Sequence, residues 1–234
     1  MHTLRFKRME DAQWGLTVRL HGGTYEESSD EEDRLNFGLY LWPSAALLSR
    51  FVLCAPQTVS GKRVLELGAG TGLSGIVAAG LCSPACVTLT DLAGSVLANL
   101  QRNVAANLKA FGAVPVAAAE LSWGRAPRDI AAAPAAWDFD VVLAADCLYA
   151  ESHVGGFFAT LAALALLNPR LVCYLAYQER CATMCVKPHL DFWGLKAEEI
   201  PVQDLVSLPV GAIDDQEIDP TVTLRLIKIT MNAN

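Results

Sequence analysis

Short apolar runs alternate with longer stretches of helical periodicity along most of the chain, and glycine, proline or acidic residues separate them. The runs are too short for helices and are flanked by turn-forming residues, so we interpret them as buried strands. The predicted strands are residues 64–67, 86–90, 114–119, 139–145, 171–177, 195–200 and 221–230. The predicted helices are residues 43–55, 73–79, 95–108, 155–167 and 178–193, the last interrupted near Pro188. Strands that alternate with helices predict a doubly wound, Rossmann-like α/β fold.

The first 35 residues have a different pattern. Residues 4–9 and 14–20 alternate apolar and polar positions, which predicts an antiparallel hairpin. The acidic stretch 26–33 follows, and we interpret it as a solvated loop, with guidance of a basic substrate as the sharper alternative. We expect the hairpin and the acidic loop, residues 1–35, to pack on a single domain formed by residues 36–234. The Ala/Pro-rich residues 126–136 are interpreted as a surface linker within that domain.

The predicted strand 64–67 ends in three alternate glycines, Gly68, Gly70 and Gly72. Glycine allows a tight turn and lets a ligand approach the backbone closely. A strand, a glycine turn and a helix in this order are typical of the nucleoside-cofactor corner of an α/β sheet. Because Gly70, Gly72 and Gly75 also fit the dinucleotide pattern G-x-G-x-x-G, a nicotinamide-dependent oxidoreductase is an alternative.

Two carboxylates bear on the choice of cofactor. Glu66 lies inside a predicted buried strand, where a charge is costly without a role. It would repel a pyrophosphate and attract the sulfonium and ammonium groups of S-adenosylmethionine; the alternative is that it accepts backbone hydrogen bonds in the turn. Asp91 ends the second strand at the offset where an acid meets a ribose diol, although it could instead cap the next helix. These residues favour S-adenosylmethionine.

Candidate residues for the acceptor side follow the predicted strand 139–145. Asp146 ends that strand, and strand ends beside the first strand form the ligand crevice of such sheets. Tyr149, three residues later, is expected to face the same pocket; the alternatives are a helix cap and a packing residue. Trp42, at a helix start, and Trp123, in a loop after a strand, are candidates for contact with a flat ligand, and core packing is the alternative for Trp42.

Four segments carry a resemblance to a known family: Gly38-Leu39-Tyr40-Leu41-Trp42, Glu66-Leu67-Gly68-Ala69-Gly70-Thr71-Gly72, Leu121-Ser122-Trp123-Gly124 and Asp146-Cys147-Leu148-Tyr149. In this order they resemble the seven-strand methyltransferases of the methyltransferase-like family 16, mostly protein-lysine methyltransferases, over roughly residues 36–230. The resemblance implies a mostly parallel seven-strand sheet with an antiparallel C-terminal strand, and S-adenosyl-L-methionine as cofactor. It implies cofactor contacts from Trp42, Glu66, Gly68, Ala69, Gly70, Gly72, Asp91, Trp123 and Ala145, and catalytic roles for Asp146 and Tyr149.

Methyl transfer to nitrogen is an in-line displacement, so positioning of the acceptor dominates catalysis. The side chain of a free lysine has a pKa of about 10.4, so it must enter the active site as the neutral amine. An apolar or aromatic channel favours that form. The resemblance implies that Tyr149 lines this channel and that Asp146 orients the amine. Residues 176–178 and the C-terminal strands also resemble the methyltransferase-like protein twenty-three branch, which is associated with histone arginine methylation. That branch has phenylalanine where Tyr149 stands and a different glycine turn, so arginine remains the alternative acceptor.

The amino-acid composition narrows the remaining classes of function and of binding partner. Hydrophobic residues make up 53% of the chain and charged residues 18%, which indicates a folded domain. The net charge of −7 disfavours nucleic-acid binding and is compatible with a basic segment in a protein substrate. No apolar run approaches a membrane span, so we expect no membrane partner, and we expect a monomer.

Seven scattered cysteines form no C-x-x-C motif and lie at no metal-binding spacing with histidine. With no signal peptide, we therefore expect reduced thiols, no bound metal and a location in the cytoplasm or nucleus. A non-catalytic binding module that keeps this fold is a further alternative, because fold does not guarantee activity.

Overall fold

The computed structural model describes residues 2–7, 15–21, 37–180, 185–203, 205 and 222–232, so the acidic stretch 26–33 lies outside the described residues. The strands are β1 (His2–Lys7), β2 (Gly15–Leu20), β3 (Arg63–Leu67), β4 (Cys86–Asp91), β5 (Val116–Glu120), β6 (Val141–Ala145), β7 (Val172–Gln178), β8 (Leu195–Ile200) and β9 (Leu224–Met231). The α-helices are α1 (Pro43–Cys54), α2 (Leu73–Leu81), α3 (Ser95–Asn107), α4 (Ala126–Ala132), α5 (Glu151–Leu167) and α6 (Lys187–Trp193).

The strand order of the main sheet brings the ends of β3, β4 and β6 to one edge. Seven strands lie in the order β5-β4-β3-β6-β7-β9-β8, and β3 is parallel to both of its neighbours. Glu66 of β3 is in register with Leu89 of β4 and Leu143 of β6. Strand β9 runs antiparallel to β7 and β8, which confirms the predicted mostly parallel sheet with an antiparallel C-terminal strand. The carboxyl ends of the central parallel strands therefore share the edge where such sheets bind ligands.

Side chains that alternate along the strands build two apolar layers, one on each face of the sheet. In β3, Val64 belongs to the layer under α1, α2 and α3, whereas Leu65 belongs to the layer under α4, α5 and α6. Phe157 and Phe158 of α5 are fully buried in the second layer. Full burial of side chains of this size contributes about 1.5–3 kcal/mol each to folding, so α5 is held firmly against the central strands.

The N-terminal strands, predicted at residues 4–9 and 14–20 and observed at His2–Lys7 and Gly15–Leu20, pack on the core through the backbone as well as through side chains. Strands β1 and β2 pair antiparallel, and Phe6 and Val18 are buried in the layer under α1 to α3. On the buried face of α3, Asn107 bonds the backbone N–H and carbonyl of Arg19. One turn earlier, Asn103 does the same for His21, at 2.7 and 3.1 Å. Side-chain amides of a helix thus pair with the backbone edge of β2 in place of a neighbouring strand.

Two predicted segments are wrong. The Ala/Pro-rich residues 126–136 contain the helix α4, and Ala126 and Ile130 bury their side chains against the core, so this stretch is not a surface linker. The predicted helix 178–193 is shorter in the structure, because Gln178 ends β7 and α6 begins at Lys187. Pro188 lies in the first turn of α6, where its missing N–H costs nothing, so it does not interrupt the helix.

Candidate functional site

The turn after β3 has the backbone conformation that its glycines predict. Gly68, Gly70 and Gly72 have φ values of +60°, +55° and +82°, in the left-handed region that favours glycine. A Cβ on Gly70 would lie 3.0 Å from the backbone oxygen of Gly38, so the segment before α1 closes over the turn. The turn therefore leaves no room for a side chain, and its N–H groups remain close to the edge of the sheet.

Glu66 lies below this turn with its carboxylate directed at the start of α2. The backbone N–H of Gly75 donates to Oε2 at 2.9 Å, and the residue is 1% exposed. Burial raises the pKa of the carboxyl group to about 8, although hydrogen bonds from Gly75 and Ser74 oppose that shift. This is the turn-acceptor role that was the alternative for Glu66. Its direct contact with a cofactor stays a prediction, and the residue offers almost no accessible surface for such a contact.

Asp91 fixes the turn from the end of β4. Its Oδ2 accepts the N–H of Gly70 at 2.7 Å, and its Oδ1 accepts the N–H of Leu92 at 2.7 Å. Burial raises the pKa of this carboxyl group, and the two backbone N–H groups act in the opposite direction. The alternative of a helix cap is wrong, because Gly94 occupies the N-cap position of α3. Asp91 is partly exposed, and each carboxylate oxygen has more than one lone pair.

Trp123 and Cys147 converge on Gly68 from two other elements. A Cβ on Gly68 would lie 2.7 Å from the indole of Trp123 and 3.1 Å from Sγ of Cys147. The Cys147 thiol donates to the carbonyl of Leu67 at 3.2 Å, and burial raises its pKa well above the usual value. The loop after β5 and the segment after β6 therefore both touch the glycine turn.

Asp146 follows β6 in a conformation that is uncommon for a residue with a side chain. Its φ is +58°, and its N–H donates to the carbonyl of Ala176 in β7 at 2.8 Å. Aspartate tolerates the left-handed region better than most residues, and such conformations are concentrated at functional sites. Asp146 is not a helix cap, since Ala150 occupies the N-cap position of α5. The turn directs its carboxylate into the edge of the sheet, where it is 5% exposed.

Arg180 holds both oxygens of the Asp146 carboxylate. Nη1 donates to Oδ1 at 2.8 Å and Nη2 donates to Oδ2 at 2.6 Å, which is a bidentate pair. The guanidinium carbon lies 5.1 Å from the ring centroid of Trp42, within the range of a cation–π contact. The Trp42 indole N–H donates to the carbonyl of Phe37 at 2.9 Å. Trp42 thus contacts Arg180 and the segment before α1 in the structure, and its contact with a cofactor stays a prediction.

Tyr149 lies at the outer rim of the same region and is 38% exposed. Its ring packs edge-on against Phe37 and His153, with centroids 5.7 Å apart in both pairs. Burial raises the pKa of the phenol, and the nearby ionisable groups Cys147 and Asp91 act in the same direction. The hydroxyl is therefore protonated at neutral pH.

The candidate residues of the sequence thus occupy one edge of the sheet. Gly68 and Gly70 belong to the turn, Asp91 binds it from the end of β4, and Trp123 and Cys147 contact it. Ala145 ends β6, two residues before Cys147. Sequence reasoning missed two contributors, Arg180 and Phe37, whose contacts depend on which strands and loops are neighbours in space. Within the described residues, no group of three or more potential ligands could hold a metal ion. None of the described helices combines the length and apolar character needed to cross a bilayer.

Comparisons with known proteins show which family the chain belongs to. The sequence profile of a family described as lysine methyltransferase matches residues 27–188, more than half of the chain. Histone-arginine methyltransferase METTL23 of Xenopus laevis is 31% identical over 167 residues, which cover 71% of this chain and 68% of that protein. Protein N-lysine methyltransferase METTL21A of Danio rerio is 37% identical over 133 residues, 57% of this chain and 58% of that protein.

Among solved structures, the delta-N METTL16 methyltransferase domain has a TM-score of 0.50 at 12% identity, covering 82% of this chain and 84% of that chain. At this identity the likeness concerns the fold alone. The profile match goes further, because residues 27–188 include the glycine turn, Asp91, Trp123 and the segment after β6. The chain belongs to the lysine methyltransferase family and is an S-adenosylmethionine-dependent protein methyltransferase.

Proposed function

We propose that this protein transfers the methyl group of S-adenosylmethionine to the side-chain nitrogen of a lysine in a protein substrate. One observation carries the proposal: Cys147, which lies between the candidate residues Asp146 and Tyr149, contacts the start of the glycine turn, with its Sγ 3.2 Å from the carbonyl oxygen of Leu67. A cofactor bound at the turn would therefore have an acceptor side built from Asp146 and Tyr149 next to it.

The residues around the turn suit this cofactor. Glycine at positions 68 and 70 lets Trp123 and the Gly38 backbone pack against the turn, and Ala69 lies between the two glycines. The nucleoside would lie alongside this packed turn. Asp91 has free lone pairs for the ribose hydroxyls. We assign the adenine and methionine parts to the neighbourhood of Trp123, Trp42 and Ala145. When bound, the cofactor supplies an activated methyl group.

On the acceptor side, the protein has to align a neutral amine and exclude water. In this proposal Asp146 accepts hydrogen bonds from the incoming nitrogen, and the Tyr149 ring forms one wall of its channel. The phenol has a raised pKa, so it brings no negative charge into the channel. Phe37 extends the apolar wall through its ring contact with Tyr149. Desolvation by these rings favours the amine over the ammonium form.

Arginine methylation is the second candidate, and the similarity to proteins named METTL23 favours it. Labelled S-adenosylmethionine and wild-type protein, added to an extract of cells that lack the protein, would label the substrate. Mass spectrometry of the labelled protein would then identify the modified residue. We expect methyl-lysine, and label found exclusively on arginine would overturn the lysine assignment.

Charge and the state of the cysteines bear on the substrate and on the cellular location. The net charge of −7 favours a basic segment around the target residue, and we propose that the enzyme acts as a monomer. The described cysteines are all free, which fits the reducing cytoplasm or nucleus that we propose as its location. Size-exclusion chromatography and cell fractionation would test the oligomeric state and the location.

A further inference from the structure

We propose that Arg180 is a positioning residue that fixes the Asp146 carboxylate and balances its charge, so that the site accepts a neutral amine and disfavours a guanidinium. This inference rests on the proposed function for its catalytic consequence, but the underlying contact can be tested without activity.

Arg180 is held on two sides. Its guanidinium makes a bidentate pair with Asp146 at 2.8 and 2.6 Å, and its central carbon lies 5.1 Å from the Trp42 ring centroid. The Arg180 side chain is 28% exposed and that of Asp146 is 4% exposed. A planar guanidinium matches both a carboxylate and an aromatic face, which lysine cannot do in the same way. The contacts therefore describe a fixed group between Asp146 and Trp42.

The pairing changes the charge that an acceptor meets. An unpaired carboxylate would stabilise an incoming ammonium ion and keep it protonated, which would stop it from acting as a nucleophile. The Arg180–Asp146 pair has no net charge. It therefore stabilises an incoming ammonium ion less than an unpaired carboxylate would, and the neutral amine forms more easily. A target guanidinium stays charged at every accessible pH, and it would meet the like charge of Arg180. Arg180 thus favours lysine over arginine.

Other ionisable groups surround the pair and stay the same in every comparison below. Tyr149 and Cys147 have raised pKa values and remain neutral, and His153 packs on the Tyr149 ring. Asp91 binds the turn, and Glu66 has a pKa of about 8 and titrates within the range of interest. These five ionisable groups are present in every variant. Differences between the pH–rate profiles of the variants therefore report the charge at residues 146 and 180.

A binding experiment tests the contact itself. Arg180→Ala removes the guanidinium and leaves the carboxylate and the indole. We expect saturable, millimolar binding of ethylguanidinium to this variant by isothermal titration calorimetry, and none to the wild type or to the double variant Asp146→Asn/Arg180→Ala. Absence of binding to Arg180→Ala, or equal binding to all three proteins, would contradict the proposal that Asp146 and Trp42 hold a guanidinium between them. Circular dichroism would verify that each variant is folded, and Arg180→Ser, which also removes the guanidinium, would serve if Arg180→Ala is not.

A kinetic experiment tests the catalytic consequence, with labelled S-adenosylmethionine and the knockout-cell extract as acceptor between about pH 6 and pH 9.5. For Arg180→Gln we expect a tenfold or larger loss of rate, a rise of about one unit in the midpoint of the acidic limb, and cofactor affinity within twofold of wild type. Arg180→Lys keeps the charge and should keep the midpoint. The double variant Asp146→Asn/Arg180→Gln should return the midpoint toward wild type at a low rate.

The matched control is Arg225→Gln, which removes the same charge from an exposed ion pair with Glu179 and should leave the profile unchanged. A faster Arg180→Gln enzyme would mean that Arg180 occupies the place of the substrate, and an unmoved midpoint would mean that it only packs; either result overturns the inference. If wild-type protein transfers no methyl group, the proposed function fails, and the ethylguanidinium titration still decides the contact.

Discussion

The backbone N–H of Gly75 donates to the carboxylate of Glu66, nine residues earlier, at 2.9 Å. A Cβ on Gly75 would lie 2.6 Å from Oε2 of that carboxylate, so a glycine is needed where the helix α2 passes over β3. This explains the third glycine of the G-x-G-x-x-G pattern by close packing of helix and strand, without a bound pyrophosphate. It also accounts for a carboxyl group in a fully buried strand.

Glu66 should make stability depend on pH. Its pKa is about 8 in the folded protein against about 4.3 in the unfolded chain, so its contribution is greatest below the lower value and is lost as the pH rises toward 8. Glu66→Gln cannot ionise, so the stability of wild type relative to this variant should fall by up to about 1.4 kcal/mol per pH unit between these values. Urea unfolding of both proteins at pH 5, 6, 7 and 8 measures this difference in unfolding free energy. A difference that does not change with pH would contradict the raised pKa of Glu66.

The same variant separates the two roles that the sequence allows for Glu66. If the carboxyl group only shapes the turn, Glu66→Gln keeps an acceptor oxygen for Gly75 and should change S-adenosylmethionine affinity by less than about threefold. If it binds the cofactor cations directly, the loss should exceed about tenfold, or ~1.4 kcal/mol. Isothermal titration calorimetry at pH 7 distinguishes the two, and we expect the smaller effect.

The glycine turn offers a comparison matched in backbone angle. Gly70 and Gly112 have φ values of +55° and +58°, but only Gly70 has a neighbour within 4 Å. Gly112→Ala should cost about 1–2 kcal/mol of folding free energy through backbone strain alone. Gly70→Ala adds the approach to the Gly38 carbonyl, so it should cost at least about 1 kcal/mol more and weaken cofactor binding tenfold or more. Equal stability and unchanged affinity would contradict the tight packing of the turn.

Asn103 joins the N-terminal hairpin to the glycine turn through side-chain hydrogen bonds. Its Oδ1 accepts the N–H of His21, and its Nδ2 donates to the carbonyls of His21 and Thr71, the latter at 2.9 Å. Asn103→Ala removes the partner of the His21 N–H and of the Thr71 carbonyl, whereas the His21 carbonyl keeps its hydrogen bond from Nδ2 of Asn99 at 2.8 Å. The fold should therefore be destabilised by about 1–3 kcal/mol in urea unfolding. Gln101→Ala on the exposed face of the same helix is the control, expected within about 0.5 kcal/mol. Equal effects would show that the contacts to the hairpin are unimportant.

The sequence predicted the parts of this site that lie close together along the chain. Gly68, Gly70 and Gly72 need left-handed angles, and their spacing after an apolar run is enough to predict the turn. Asp91 and Asp146 end strands, so the sheet edge that carries them follows from the order of strands. Trp123 could be placed beyond a strand because the loop around it is short.

The missed features depend on neighbours in space. Arg180 lies 34 residues after Asp146 and meets it only because β7 pairs with β6. The three asparagines of α3 had a detectable signal, since residues 99, 103 and 107 recur every fourth position on one helix face. Their partner was not predictable, because nothing local places β2 against that face. Alanine and proline in α4 masked a helix that is held by the burial of Ile130.

In the proposed mechanism, Asp146 acts on the acceptor nitrogen and the glycine turn holds the cofactor. Asp146→Asn is the sharpest variant, because asparagine tolerates the +58° φ and keeps the shape of the side chain. Methyl transfer to the knockout-cell extract and calorimetric S-adenosylmethionine affinity should be measured on the same preparations. We expect transfer to fall a hundredfold or more while cofactor affinity stays within about threefold of wild type. Undiminished transfer, or a parallel loss of cofactor affinity, would show that Asp146 does not act on the acceptor.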